Sequence, residues 1–411
     1  MKKHTYRSKI VNQINWPQVK EKLAGGNAVL ELDIAKIKQY GLLHDENDFE
    51  LAFNWEHPRQ TPEVLAYLAS LGCQLKVVME PTGTYGDAIR YQLRCLGFEI
   101  YQIDPKRVFD AKGVYDGVDS LHDGKSVVVM KRLYREGLSR PWVESTETER
   151  ELDALRKEFD LFQENYQRQQ NQLEAILSRH WPEVLSLLEL DSVVLESLLI
   201  EYTTPTAIVR DTDTAKNFIK MKGQSFMKDE KIDQIIESAA MTLGMPFQEG
   251  EVRYLRALAT EMQHNRLQRK SSKKTLETYI QSDAGLKEMT KVMGLMTTAI
   301  FISCRVDPRN YSSPKSLLKA LGLNLKEKSS GFYKGKLKIT KRGCSIVRRY
   351  LYFAALRLIK SNPLIKAWYQ AKVNDRYKKI TIVALMRKLV KALWYVARGA
   401  EFDASKLVKV A

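Results

Sequence analysis

The 411-residue sequence predicts an α/β domain, then a helical middle on a heptad seam, then a compact, mainly α C-terminal domain. Three observations point there. Strand patterns alternate with helical ones over residues 20–140, which indicates an α/β domain. A 3-4 spacing of apolar residues begins at Leu152 and runs on to Ile176. The last part, residues 285–405, is short in acids and rich in lysine and arginine.

Residues 28–43 read as a buried strand, a polar turn and further apolar sequence. Gln74 to Glu80 is a second strand, closed by a Pro-Thr-Gly turn that should open a helix near Tyr85. Phe98 to Ile103 is a third, stopped by Asp104-Pro105, and helical spacing resumes from Ser126 to Gly137. From Thr146 the character changes. Leu152, Leu155, Phe159, Phe162, Tyr166, Leu173 and Ile176 form a coiled-coil seam interrupted at Gln169, within a middle segment, 146–281. A second polar helix, Glu251 to Gln281, is expected to return antiparallel to it, with residues 182–248 inserted between as a helical subdomain. In the C-terminal part a helix opens near Pro314 and ends at Leu321-Gly322, and two more cover 345–361 and 379–398.

Lys and Arg number 66 against 49 acids, a net charge of +17, which suits a polyanionic partner because each neutralised phosphate releases counterions. Cys73, Cys95, Cys304 and Cys344 stand singly, without a CxxC pair or a nearby histidine group. That argues against structural zinc and a disulfide framework, and fits a reducing cytoplasm. The charged start lacks an apolar run, so no signal peptide is expected, and the apolar stretch near Met293 to Cys304 is too short to span a bilayer. No membrane partner is expected.

Two groups of residues carry chemistry. Asp33 and Glu80 sit at the ends of the first and second strands, and Asp123 begins the later helix, with Asp119 and Asp116 upstream. Carboxylates at neighbouring strand ends can converge on Mg2+, which takes hard oxygen ligands and leaves positions for phosphate oxygens. Each acid taken singly equally fits a turn cap. The second group is Ser329-Ser330-Gly331, ringed by Lys326, Lys328, Lys334, Lys336, Lys338, Lys341 and Arg342. Leu325 to Tyr350 holds nine cationic residues against one acid. Such ammonium groups can hold a scissile phosphate and stabilise developing charge, with Ser330 as nucleophile activated from the acidic site. A loop that only grips DNA fits the same residues. Tyr333, Tyr350 and Tyr352 are the competing nucleophiles; Tyr350 and Tyr352 fall on a helix of core character.

Leu32-Asp33-Ile34-Ala35-Lys36, Glu80-Pro81-Thr82-Gly83-Thr84-Tyr85 and Ile103-Asp104-Pro105 resemble, in order, motifs of the insertion-sequence transposases of the IS-one-ten type. Val292-Met293-Gly294-Leu295, Leu321-Gly322-Leu323, Ser330-Gly331, Thr340-Lys341-Arg342-Gly343, Ala384 to Leu389 and Phe402-Asp403-Ala404-Ser405 continue the series. The resemblance implies a RuvC-like (RNase H-like) DEDD domain joined to a C-terminal serine domain. It implies a DNA recombinase with Asp33, Glu80 and Asp123 as metal ligands and Ser330 forming a covalent link to DNA. It further implies a noncoding guide (bridge) RNA that pairs with donor and target DNA, and homodimers assembling into a tetramer. One departure stands out. The family's third and fourth acids form D-x-x-D; with Asp123 as the third, Ser126 occupies the place of the fourth, and with Asp123 as the fourth, Asp119 becomes the third through a one-residue shift. Asp116 and Asp119 have the right spacing, but no small residue follows them. A metal-only junction nuclease and a catalytically decayed nucleic-acid-binding protein are the alternative readings.

Overall fold

In the computed structural model the first 144 residues fold around one seven-stranded sheet of order β1-β4-β3-β2-β5-β6-β7. The structure describes residues 7–81, 83–116, 122–327, 329–330, 333–335, 337–373 and 377–408. In chain order this unit runs β1 (Lys9–Ile10), α1 (Trp16–Leu23), β2 (Asn27–Asp33), β3 (Lys38–Asp45), β4 (Glu50–Glu56) and α2 (Thr61–Ser70). It continues with β5 (Gln74–Met79), α3 (Asp87–Cys95), β6 (Glu99–Gln102), α4 (Pro105–Asp116), α5 (Asp123–Arg135) and β7 (Arg140–Pro141). Strands β2, β3 and β4 form an antiparallel meander, while β2, β5 and β6 run parallel.

Side chains alternate across the sheet, as the pleat requires. Leu30, Leu32, Val77 and Met79 face α1, α2 and α3, burying against Trp16, Leu68 and Leu93. Tyr40, Leu42 and Val78 face α4 and α5, against Val108, Val127 and Met130. On that second face Glu31 is fully buried, and its Oε1 lies 3.0 Å from His44 Nε2.

Some elements differ from the sequence expectation. The apolar sequence after the expected polar turn in 28–43 is itself a strand, β3, which pairs antiparallel with β2 because residues 34–37 turn the chain and set Asp33 opposite Tyr40. Helix α4 occupies a stretch without clear apolar spacing. Its start is set locally: Pro105 takes the first helical position and Asp104 Oδ1 accepts from the Lys106 amide at 2.9 Å.

Residues 145–411 form the second unit. Helix α6 (Glu147–His180) opens with a capping box, in which Thr146 and Glu149 satisfy each other's backbone amides. Five shorter helices follow: α7 (Val184–Leu187), α8 (Val193–Glu201), α9 (Pro205–Arg210), α10 (Thr212–Gly223) and α11 (Asp229–Ala240). Helix α12 (Glu249–Gln281) returns antiparallel to α6, as Ser272 meets Glu158, Arg269 meets Gln163 and Asn265 meets Gln169. Tyr166, Leu173 and Leu177 pack on the inserted helices, whereas Leu152 and Leu155 join the C-terminal core. That core is built by α13 (Ala284–Met293), α14 (Leu295–Ser303), α15 (Pro314–Ala320), α16 (Ser345–Ser361), α17 (Pro363–Val373) and α18 (Lys378–Val396). Among the described residues, no helix is long and apolar enough to cross a membrane.

The interruption of the seam at Gln169 has a structural role. Its Oε1 accepts from Asn265 Nδ2 at 3.1 Å, both residues being buried. This buried polar pair helps to fix the register, since a slip leaves the Gln169 oxygen without its donor, while Asn265 keeps only the Glu261 carbonyl of its own helix at 2.9 Å. Gln169→Leu alone should cost about 1 kcal/mol or more in urea unfolding, because Asn265 loses its acceptor across the pair. The double change Gln169→Leu, Asn265→Leu should recover most of that loss. Additive single and double losses would contradict this role.

Candidate active site and nucleic-acid interface

The acidic group grows out of the strand register. Leu32 pairs with Met79 across parallel β2 and β5, so Asp33 and Glu80 stand on the next rung, at the carboxyl ends of both strands. By parity both belong to the face covered by α4 and α5. The neighbouring strand β6 adds Asp104 two residues past its last rung, and α5 begins with Asp123. Carboxyl ends of parallel strands are where open α/β sheets bind ligands.

The electrostatics show which of these groups face one another. Burial raises the Asp33 carboxyl above its ordinary range and the charge of Asp123 raises it further, while the Ser126 hydroxyl, donating to Asp33, opposes the rise. Glu80 is pushed to about 7, first by burial and then by the negative charges of Asp33 and Asp104. Lys112 on α4 partly offsets both. Like charges are thus held together under partial desolvation, the condition a cation would relieve. As placed, no group of three acidic, histidine or cysteine side chains among the described residues is close enough to hold a metal ion. The donor chemistry fits a hard divalent cation with open positions.

Sequence reasoning on acid motifs did not single out Asp104 or Lys112, although Asp104 was visible as the residue that stops the third strand. Ser126 is the informative case. Standing where an acid was expected, it bonds to Asp33 from the first turn of α5. Asp119 lies outside the described residues, and Asp116 ends α4.

The serine segment forms two small hairpins. Ser329–Ser330 (β9) pairs antiparallel with Tyr333–Lys334 (β10), Ser330 opposite Tyr333. Leu325–Lys326 (β8) pairs with Lys338–Ile339 (β11), which sets exposed Lys326 directly opposite exposed Lys338. Like charges on one rung are destabilising unless an anion lies between or beside them. Lys328, Gly331 and Lys336 lie outside the described residues.

The base of these hairpins is clamped. Gly322 and Gly343 have φ of +65° and +103°, and a Cβ on either would collide with the carbonyl oxygen of Arg342 or Ala320 respectively. Only glycine fits both the conformation and the approach. The Lys341 amide donates to the Gly322 carbonyl at 2.9 Å, and Arg348 Nη1 donates to the carbonyls of Leu321 and Gly343, each at 3.0 Å. Lys341 and Arg342 are exposed beside this clamp. Tyr350 is otherwise engaged: its hydroxyl donates to Asp160 Oδ1 at 2.6 Å, and burial pushes it up to about 12.

The Glu80 shift sets the sign of a pH effect. A carboxyl of folded pKa about 7 against 4.5 binds more protons folded than unfolded, so its contribution to stability falls as pH rises between those values. In chelator-containing buffer, Glu80→Gln should therefore gain stability over wild type as pH rises from 5 to 8, read as urea midpoints at each pH. Parallel profiles for the two proteins would show that Glu80 is not desolvated beside Asp33.

Comparison with curated proteins finds no match. A family model does match: residues 286–370 fit the one described as Transposase IS116/IS110/IS902 family. The matched segment includes Ser330, the two hairpins and the glycine clamp, while Asp33, Glu80 and Asp123 lie outside it. Over these residues the chain is similar to the insertion-sequence transposases of the IS116/IS110/IS902 family.

Proposed function

We propose that the chain is an RNA-guided DNA recombinase in which Ser330 is the nucleophile and Asp33, Glu80 and Asp123 hold Mg2+. The observation that carries the reading is the cationic setting of Ser330. In chain order β9 lies between Lys326 and Lys338, which oppose each other on one rung. It is followed by exposed Lys341 and Arg342 beside the glycine clamp, all within the segment that matches a transposase family. A scissile phosphate placed there would neutralise the opposed Lys326 and Lys338, so binding and transition-state charge draw on the same cations.

In this reading the Ser330 oxygen attacks phosphorus and a deoxyribose hydroxyl leaves. The phosphodiester count is unchanged, and attack by a second DNA hydroxyl releases the serine again. Rejoining therefore needs no external energy source. Bound Mg2+ would supply Lewis-acid polarisation of phosphate oxygens. Ser126 orients Asp33, and Lys112 tempers the charge that Asp33 and Glu80 share. The N-terminal unit is read as RuvC-like, supported by acids at the carboxyl ends of β2 and β5 with α5 bringing Asp123. Guide RNA and assembly into dimers and tetramers are carried over from the family resemblance, and a net charge of +17 suits two nucleic-acid partners.

A second reading has one observation in its favour. Glu80 near 7 is suited to general-base work on water, as a metal-dependent junction nuclease would need. The two differ at Ser330. Ser330→Ala should fold and bind normally, changing stability by less than about 0.5 kcal/mol, yet give no covalent protein–DNA adduct and no recombinant. Full recombination by that variant would end the serine mechanism. Chelating divalent cations should stop cleavage in either reading, and cleavage that persists would dismiss the acidic site.

The cations of the hairpins are tested by salt. Replacing Lys334, Lys336 and Lys338 with alanine should lower the slope of log affinity against log salt by up to about 2.7, about 0.9 for each phosphate that is no longer neutralised. An unchanged slope places the hairpins away from the DNA backbone.

A further inference from the structure

The cysteines, scattered in sequence, do not stay apart in the fold. Cys304 is the residue that caps the C-terminal end of α14, and Cys344 precedes the first residue of α16. Both are half-buried against the same core and free of disulfides. Helices α14 and α16 pack antiparallel, with Gly294 beside Arg357 and Thr297 Oγ1 donating to the Tyr350 carbonyl at 3.4 Å, which brings the end of α14 that carries Cys304 to the start of α16 that follows Cys344. Cys73 and Cys95 belong to the N-terminal unit.

The two thiols occupy opposite electrostatic positions. A helix N-terminus favours negative charge and a C-terminus disfavours it. Cys344 has the amides of Val347 and Ile346 and the guanidinium of Arg348 about its sulphur; Cys304 has the carbonyl end of α14. The hydrogen bond from Cys304 lowers Cys344 to about 6, aided by those amides and Arg348, and the same bond raises Cys304. Cys344 is the thiolate and Cys304 its donor.

We propose that Cys304 and Cys344 are a redox pair whose disulfide, formed by peroxide, weakens the grip of the basic hairpins on nucleic acid. The Cys344 thiolate attacks one peroxide oxygen, the O–O bond breaks, hydroxide leaves and a sulfenic acid remains. The Cys304 sulphur then attacks Cys344, its proton and the sulfenic hydroxyl depart as water, and the disulfide forms. Two thiols lose two electrons and one peroxide gains them; a small dithiol reverses the change.

The coupling to the hairpins follows from the clamp. A disulfide holds its sulphurs about 2.05 Å apart, closer than any hydrogen-bonded thiols, so Cys344 must be drawn toward α14. Gly343, the residue before it, has no slack: its φ is +103°, it abuts the Ala320 carbonyl, and its own carbonyl is held by Arg348. Movement there passes to Lys341, Arg342 and the strand that carries Lys338. The thiol chemistry holds whichever group cuts DNA, while the binding effect rests on the hairpins' proposed role.

Full-length protein treated with stoichiometric hydrogen peroxide, alkylated and mapped by mass spectrometry should give a linked Cys304–Cys344 peptide. Cys304→Ser should stop at a Cys344 sulfenic acid that dimedone captures. Affinity for a duplex DNA at fixed salt should fall several-fold on oxidation, return with dithiothreitol, and stay unchanged on peroxide treatment of Cys344→Ser. Unlinked thiols in the oxidised wild type, or dimedone labelling of Cys304 rather than Cys344, would overturn the pair. A complete disulfide with unaltered DNA affinity would overturn its coupling to the hairpins. Reduced protein that binds no nucleic acid would overturn the hairpins' role, and with it the binding half of this inference.

Discussion

Strand β2 exchanges backbone hydrogen bonds with β3 on one side, antiparallel, and with β5 on the other, parallel, and this mixed pairing orders the N-terminal unit. The register with β5 decides that Asp33 and Glu80 end on one rung. The register with β3 places Tyr40 opposite Asp33 and brings His44 within reach of Glu31. A slip of one residue would exchange the faces of every side chain, turning Leu30 and Leu32 out of one core and Asp33 into it. The acidic site is thus protected by the same apolar burial that holds the sheet together.

In the second unit, α6 is the shared wall. Its first turns pack into the C-terminal core and its last turns into the inserted helices, so the two cores are joined by one continuous element. Polar contacts along α6 and α12 act as pins. Arg156 bridges Asp153 and Asp160 at 2.7 and 2.8 Å, and Asp160 also accepts from Tyr350 on α16. Glu196 of α8 is buried and held by a bidentate contact from Arg266 of α12. Buried ion pairs contribute little net stability, because desolvation offsets attraction. Their structural effect here is to fix which turn of one helix meets which turn of another.

Charge is arranged oppositely in the two candidate sites. At the carboxyl ends of the central strands, carboxylates gather where water is partly excluded, and burial first and then their mutual repulsion raise the proton affinity of Glu80. At the hairpins, exposed lysines oppose one another over a rigid base formed by Gly322, Gly343 and Arg348. Each site holds like charges together, a repulsion that a species of opposite charge would relieve. The rigid base matters for the second, since cations on a yielding loop would spread apart.

The sequence by itself determined the order of element types, the two long helices and the identity of the chemical groups. Periodicity is a local property, and α6, α12 and α16 appear close to where apolar spacing put them. Charge clustering around Ser330 and acids near strand ends are likewise readable in one dimension. Local patterning was weakest in the first 144 residues: β3 and β4 belong to a meander defined by partners, and α4 is fixed by a cap rather than a stripe. Only the tertiary structure decided which groups meet. Asp104 and Lys112 join the acidic site through the register of β6 and the docking of α4, Ser126 reaches Asp33 through the docking of α5, and Cys304 finds Cys344 across forty positions. Such meetings depend on non-local packing, whose energy is spread over many apolar contacts and leaves no spacing in the sequence to read.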